Sequence, residues 1–458
     1  MVTLSRITDA VVVVPGLLGS ALTDRDGTLV WGMRHPWSRA ALGSVYAGLH
    51  VSDDELSGRP RLRPSGLITR TGTLSRFGAQ GPYGELVRRL TGAAADTRAV
   101  TSFPYDWRLS IEHNADLLLV SALTHLERWR AVVAEDEIRT AGQRVDPETV
   151  RLSFVAHSLG GLIVRYASGH NALAAQTRQI VSLGTPYWGT TAMVTLLRPP
   201  TDCGGPPDEQ SARQLAASCP SVYDLLPRER CVETPRGWRV LDHGDISAIG
   251  GSGTLTEQAD RRWRKNHPQT APISVPTTQL AGSTVPTGWS VSPDAGWQPR
   301  AQTRDGEASW GDGTVPASTP LDDAHTLFHV ASHDTMIDSV ETIGTVIDLL
   351  RRPGRTPRPR GNRPRLGIIG PTSTSPGKVT VEVVRAGVSL DTRDQVTVSS
   401  RQEYQAGKWH QPLVWTHEAP REGRLRFSAL LRPGVYRITA HSFDQPSMAI
   451  TVTVLSRS

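Results

Sequence analysis

The chain of 458 residues has little lysine, little cysteine and no long apolar run. Its lysines are Lys265, Lys378 and Lys408, so nearly all of its positive charge is arginine. A formal net charge of +6 and a sequence pI near 9.5 admit anionic partners. Scattered, solvated arginine is the plainer reading. No basic stripe with interleaved aromatics accompanies the charge, so no nucleic acid partner is expected. No uninterrupted apolar stretch approaches the ~20 residues needed to span a bilayer. The run Ala10 to Val14 passes straight into a glycine turn without a small-residue cleavage site, and reads as a strand rather than a signal peptide. The cysteines, Cys203, Cys219 and Cys231, are odd in number and share one segment. That suits a reducing cytoplasm, the expected location; after secretion by another route Cys203 and Cys219 could pair. No Cys-x-x-Cys pair or Cys/His spacing suggests zinc. Neither a metal nor an organic cofactor is expected.

What is present alternates. Apolar strand candidates at Ala10–Val14, Ala99–Phe103, Val150–Ala156, Gln179–Leu183 and Thr277–Ala281 are separated by helical spacing over 82–91, 111–141, 159–168 and 336–350. Such alternation predicts an α/β fold with a mostly parallel sheet covered on both faces. The pattern weakens from Thr190 to about Thr270, where Pro199-Pro200 and Gly204-Gly205-Pro206-Pro207 suggest an irregular insertion. Residues 355–364, rich in proline and arginine, read as a stiff linker. Beyond it, segments such as Val379–Val383, Gln395–Val398, Val435–Thr439 and Ile450–Val454 alternate with period two, which predicts a small all-β sandwich.

Ala156-His157-Ser158-Leu159-Gly160 lies where a buried strand turns into a helix. A nucleophile projecting from so sharp a turn needs small neighbours two residues away on each side, here Ala156 and Gly160. The Leu159 amide would open the helix, where unpaired N–H groups favour negative charge. A second donor to an oxyanion is expected from the turn after Val14, with Leu17 the choice because Gly16 lets that backbone bend. A serine also needs a base and a carboxylate to orient it. Asp312, in Gly311-Asp312-Gly313, and His333, in Ser332-His333-Asp334, follow in the order Ser, Asp, His, which is the α/β-hydrolase order. His329 and Asp334 are rivals. His329 falls within a strand (expected Leu327–Val330) and should pack, and Asp334 should point elsewhere. His157 is expected to shape the turn, and Asp106 to anchor an ion pair or turn.

Five strings together resemble the lecithin:cholesterol acyltransferase family. They are Val14-Pro15-Gly16-Leu17-Leu18-Gly19-Ser20, Pro104-Tyr105-Asp106-Trp107-Arg108-Leu109, Ala156-His157-Ser158-Leu159-Gly160-Gly161, Leu183-Gly184-Thr185-Pro186-Tyr187-Trp188-Gly189 and Gly311-Asp312-Gly313-Thr314-Val315-Pro316. The resemblance covers roughly residues 8 to 352. It implies an α/β-hydrolase domain over 1–352 with a cap at about 190–275; outside it, composition and alternation set a linker at 353–365 and a β-domain at 366–458. It further implies Ser158, Asp312 and His333 as a triad, with Leu17 and Leu159 as oxyanion amides. Trp188 is the candidate for lining the pocket. Trp238, Trp263, Trp289 and Trp297 are a lid surface on the family reading, but self-packing of the insertion is expected for most of them. The expected activity is that of a serine-dependent lipase, phospholipase or acyltransferase. Its expected partners are a lipid or acyl-ester substrate, a membrane surface and a protein bound by the β-domain. An inactive hydrolase-fold scaffold whose β-domain binds a partner is the alternative.

Overall fold

A computed structural model describes residues 6–32, 39–69, 83–140, 142–198, 207–266, 274–319, 325–329, 331–354, 366–369, 373–374, 376–385, 396–405, 415–421, 424–442 and 445–454. Six strands build the central sheet: β1 (Ala10–Val14), β2 (Val100–Ser102), β3 (Leu152–His157), β4 (Thr177–Leu183), β5 (Thr277–Gly282) and β6 (His325–His329). Their order is β6-β5-β4-β3-β1-β2, and every adjacent pair is parallel. Both β1 and β3 are buried at every position. A parallel strand covered on both faces favours a near-continuous apolar run, which is why β1 reads Ala-Val-Val-Val-Val rather than alternating. Helices α1 (Gly84–Ala93), α2 (Ile111–Glu135), α3 (Leu159–Ala167) and α4 (Val340–Arg351) cross between strands or follow the last. This is the α/β-hydrolase fold. The chain leaves β1 toward β2 on one side and then builds β3 to β6 on the other. The carboxyl ends of β1 and β3 therefore flank the point where strand order reverses, which is where sheets of this kind bind their ligands.

Several expectations need correction. Among its described residues the insertion between β4 and β5 carries helices Ala192–Leu197, Pro207–Ser218, Pro220–Asp224, His243–Ala248 and Gly253–Lys265 and a hairpin over Val232–Arg239. Pro207 and Pro220 are the first residues of their helices. Proline is welcome there because the missing N–H would be unpaired anyway, so a helix-start signal resembled a breaker. Asp242 and Ser252 cap the last two helices through side-chain oxygens. Helix α2 stops at Glu135 rather than near 141: Glu137 takes φ +47, and a tight hairpin pairs Arg139–Thr140 with Gln143–Arg144. Helix α4 begins only at Val340, capped by Ser339. A three-stranded sheet of Ser20–Thr23, Leu29–Trp31 and Arg63–Leu67 was not expected.

After residue 366 the expected alternation forms two four-stranded sheets. One orders Leu366–Ile369, Gly377–Arg385, Arg424–Leu431 and Thr416–Arg421; the other orders Ser373–Thr374, Gln445–Val454, Gly434–Ser442 and Thr397–Gln405. Val381, Phe427, Ile438 and Val452, drawn from both sheets, share one buried core, which makes the pair a sandwich. Val285 joins that same core. It lies in a two-residue strand, Val285–Pro286, that pairs with Trp310–Gly311 immediately before Asp312.

Candidate active site

The turn from β3 into α3 places Ser158 at φ 53 and ψ −125. A non-glycine residue held there stores roughly 1–3 kcal/mol of strain, which the surrounding packing must impose. The packing is visible at Gly160. A Cβ on it would stand 2.4 Å from the Pro15 carbonyl oxygen and 2.7 Å from that of Val14. Only glycine lets the new helix press so closely on the end of β1. The Leu159 amide is the first of α3, and the Ser158 side chain does not cap the helix. After β1, the Gly16–Gly19 turn closes on a 3.1 Å bond from the Gly19 amide to the Gly16 carbonyl, with Leu18 at φ 67. Leu17 is buried in this turn.

Asp312 and His333 arrive from the loops after β5 and β6. The Ser158 hydroxyl donates to His333 Nε2 at 2.8 Å, and His333 Nδ1–H donates to Asp312 Oδ2 at 2.8 Å. The second Asp312 oxygen accepts the Thr314 and Val315 amides at 2.8 and 2.6 Å. The His333 amide donates to the Asp312 carbonyl at 2.8 Å, tying the two loops by backbone as well. All three residues are buried. Burial opposes the His333 cation, but the Asp312 charge and hydrogen bond outweigh it and Asp334 adds to them. The imidazole is therefore held above its usual value. In this arrangement His333 can take a proton from Ser158, and Asp312 can stabilise the resulting cation.

The rivals sit where their sequence context put them. His329 ends β6 and is buried. Asp334 accepts the Ser332 hydroxyl at 2.6 Å. Asp106 forms a buried ion pair with Arg108, which also reaches Glu55 at 2.7 Å and the Leu49 carbonyl at 2.9 Å. His157 contacts His333 through ring and backbone. Its Nε2 lies 3.0 Å from the His333 carbonyl oxygen and its Nδ1 lies 2.8 Å from the Tyr83 hydroxyl. The sequence reading missed Tyr83. Its partners Gly16 and His157 lie 67 and 74 residues away, so no local pattern marks it.

Trp188 packs on Trp263 of the cap with ring centroids 6.1 Å apart. A small cavity beside it is lined by Ile111, Leu162, Arg165, Tyr187, Asp224 and Trp263 among others. Trp238 and Trp289 meet edge to face at 5.9 Å, as self-packing would have it. Cys219 and Cys231 are free, buried thiols pushed up to about 12 by that burial. The suggested Cys203–Cys219 bridge is thus absent at Cys219, and Cys203 itself lies outside the described residues. Among the described residues no group of three or more His, Cys, Asp or Glu side chains could hold a metal ion, and no helix is long and apolar enough to cross a membrane.

Residues 78–248 match the sequence model of the lecithin:cholesterol acyltransferase family. Over this segment, a little over a third of the sequence, the chain is similar to that family. The segment holds Ser158, His157, Tyr83 and most of the cap. Lipid ester hydrolysis or acyl transfer is the activity class that goes with this family. A search of the curated proteins returned no match. Among solved structures, the Bacillus licheniformis lipase BlEst2 in its propeptide form aligns with 97% of this chain and 74% of its own, at 14% identity and a TM-score of 0.37. The metagenomic carboxyl esterase MGS0156 aligns with 77% of this chain and 74% of its own, at 16% identity and a TM-score of 0.32. The phospholipase PlaB from Legionella pneumophila aligns with 97% and 90%, at 11% identity and a TM-score of 0.29.

Proposed function

We propose that the chain is a serine-dependent lipid ester hydrolase of the lipase or phospholipase type, working through Ser158, His333 and Asp312. The observation that carries this reading is the unbroken hydrogen-bonded chain from Ser158 through His333 to Asp312, 2.8 Å at each link. Ser158 Oγ attacks the acyl carbonyl carbon while its proton passes to His333 Nε2. The carbonyl oxygen becomes an oxyanion facing the Leu17 and Leu159 amides, each such donor being worth about 10²–10³-fold in rate. The intermediate collapses, the ester C–O bond breaks, and His333 returns the proton to the departing alcohol. An acyl group is left on Ser158. Water then enters by the same route, its proton going to His333, and the fatty acid leaves as Ser158 regains a proton. An alcohol in place of water would make the same cycle an acyl transfer. In this reading residues 1–352 form the hydrolase domain with its cap at about 190–275, 353–365 a linker, and 366–458 a sandwich that engages a membrane surface or a protein partner.

The test is product analysis by mass spectrometry on vesicles of bacterial polar lipids, with and without a long-chain alcohol. Fatty acid and lysolipid formed by the wild type and lost in Ser158→Ala is the expected result. Alcohol esters would move the reading to acyltransferase. Equal product from both proteins would overturn the serine mechanism.

A further inference from the structure

The groups behind the triad form a second hydrogen-bonded chain that the catalytic cycle above does not use. The Gly16 amide, in the turn after β1, donates to the Tyr83 hydroxyl oxygen at 2.7 Å. The Tyr83 hydroxyl lies 2.8 Å from His157 Nδ1, and His157 Nε2 lies 3.0 Å from the carbonyl oxygen of His333. Tyr83 is fully buried and His157 almost so. Gly19 leaves the space that the tyrosine ring fills, since a Cβ there would stand 2.8 Å from Tyr83 Cε2. The His157 and His333 rings lie 4.9 Å apart, centroid to centroid.

Donor and acceptor bookkeeping fixes every proton in this chain. A backbone carbonyl can only accept, so His157 Nε2 carries the hydrogen that points at His333. A neutral imidazole then has a bare Nδ1, and the Tyr83 hydroxyl donates to it. The Tyr83 oxygen remains free to accept from Gly16. A cationic His157 would aim a second N–H at the oxygen that already receives the Gly16 amide. The tyrosine proton would then have no acceptor among these groups. Burial, together with repulsion from a protonated His333, also holds the His157 imidazole well below its ordinary value.

We infer that His157 and Tyr83 are positioning residues that tie the oxyanion turn to the backbone of the general base, with His157 working as a neutral imidazole in its Nε2–H form. The inference rests on the triad reading above. The chain reaches two places that must hold their relative position through the cycle: the turn carrying the Leu17 amide at one end, and the backbone bearing the His333 ring at the other. Both shift if it is cut, while Ser158, fixed by its own strand-to-helix turn, stays in place. A misplacement of about 1 Å far from the reacting atoms can cost roughly 10²-fold in rate.

Tyr83→Phe removes the one oxygen that joins Gly16 to His157 and leaves the ring. Active sites would be titrated with a fluorophosphonate, the labelled residue located by peptide mass spectrometry, and kcat and KM measured per labelled site on a short-chain ester. The expected result is a fall in kcat of roughly tenfold to 10²-fold with KM little changed. His157→Gln keeps a side-chain N–H that can face the His333 carbonyl, and should retain more kcat per site than His157→Leu. An unchanged kcat per labelled site in Tyr83→Phe would overturn the inference, whatever the variant does to stability. Should the variants not fold, selective ¹⁵N-histidine NMR of the wild type decides: a neutral His157 protonated at Nε2 supports the inference, and one protonated at Nδ1 or at both nitrogens overturns it. Failure of the triad reading is distinguishable, because the probe would then not label Ser158 in the wild type.

Discussion

Ser158 is held by the shape of one short stretch of chain, whereas Asp312 and His333 are held by hydrogen bonds between two loops. On the Ser158 side the turn itself lies between Leu152 and Ala167, braced against the end of β1. A buried strand, a residue at φ 53 and a glycine pressed on the carbonyls of Pro15 and Val14 leave the hydroxyl no other place. On the acid and base side the residues stand 21 apart, and polar contacts orient them: Thr314 and Val315 amides on one Asp312 oxygen, the His333 ring on the other, and the His333 amide on the Asp312 carbonyl. Steric definition tolerates a change of charge but not of volume, and polar definition the reverse. The two sides should therefore break under different substitutions.

The largest effect is expected from Asp312→Asn, which keeps the volume and an acceptor for the Thr314 and Val315 amides but removes the charge. The His333 cation formed when Ser158 gives up its proton loses its stabilisation, and the imidazole loses the partner that fixes its tautomer. We expect kcat on a short-chain ester to fall by about 10⁴-fold, with a melting curve close to that of the wild type. Activity within tenfold of wild type would move the acid role away from Asp312, with Asp334 next in line.

On the nucleophile side the matching change adds volume without charge. In Gly160→Ala the new methyl meets two backbone oxygens of the β1 end, at 2.4 and 2.7 Å, and backbone in a six-stranded sheet cannot swing aside as a long side chain would. Overpacking of this kind costs about 1–3 kcal/mol, which denaturant titration would detect alongside reduced activity. A variant as stable and active as the wild type would mean that the turn has slack, and that shape does not hold Ser158.

The same division explains what could be read in advance. The turn at Ser158 was legible because its determinants are contiguous: an apolar strand, small residues at 156 and 160, and a helix behind them. The parallel sheet was legible from runs such as Val11 to Val14, and the sandwich from strict alternation at Val379–Val383 and Ile450–Val454. Asp312 and His333 could be named only through chain order and resemblance, because the bonds that join them cross between loops. Tyr83 gave no signal, its meaning residing in Gly16 and His157. The sheet of Ser20–Thr23, Leu29–Trp31 and Arg63–Leu67 escaped because one strand is three residues long and another carries Pro64 and Gly66. The cap helices escaped because proline at a helix start resembles proline in a loop.

The smallest effect sharpens the acid and base side alone. His333 must be neutral to accept the Ser158 proton, and its value is held above the ordinary imidazole value of about 6.5. The acid limb of kcat/KM should therefore fall above that pH, activity rising as His333 deprotonates. The stability linkage has the opposite sense. A raised imidazole contributes to folding below about 6.5, and that contribution is lost as pH rises through the folded value. Asp334 is the least of the groups that raise His333, acting through space while its own oxygen accepts the Ser332 hydroxyl. Asp334→Asn keeps an acceptor for Ser332 and removes only the charge. Its acid limb should shift to lower pH with the plateau kcat unchanged, and the shift should be smaller than any produced by Asp312→Asn. A collapse of the plateau would show that Asp334 takes part in orienting His333, and the polar definition of this side would then extend to both carboxylates.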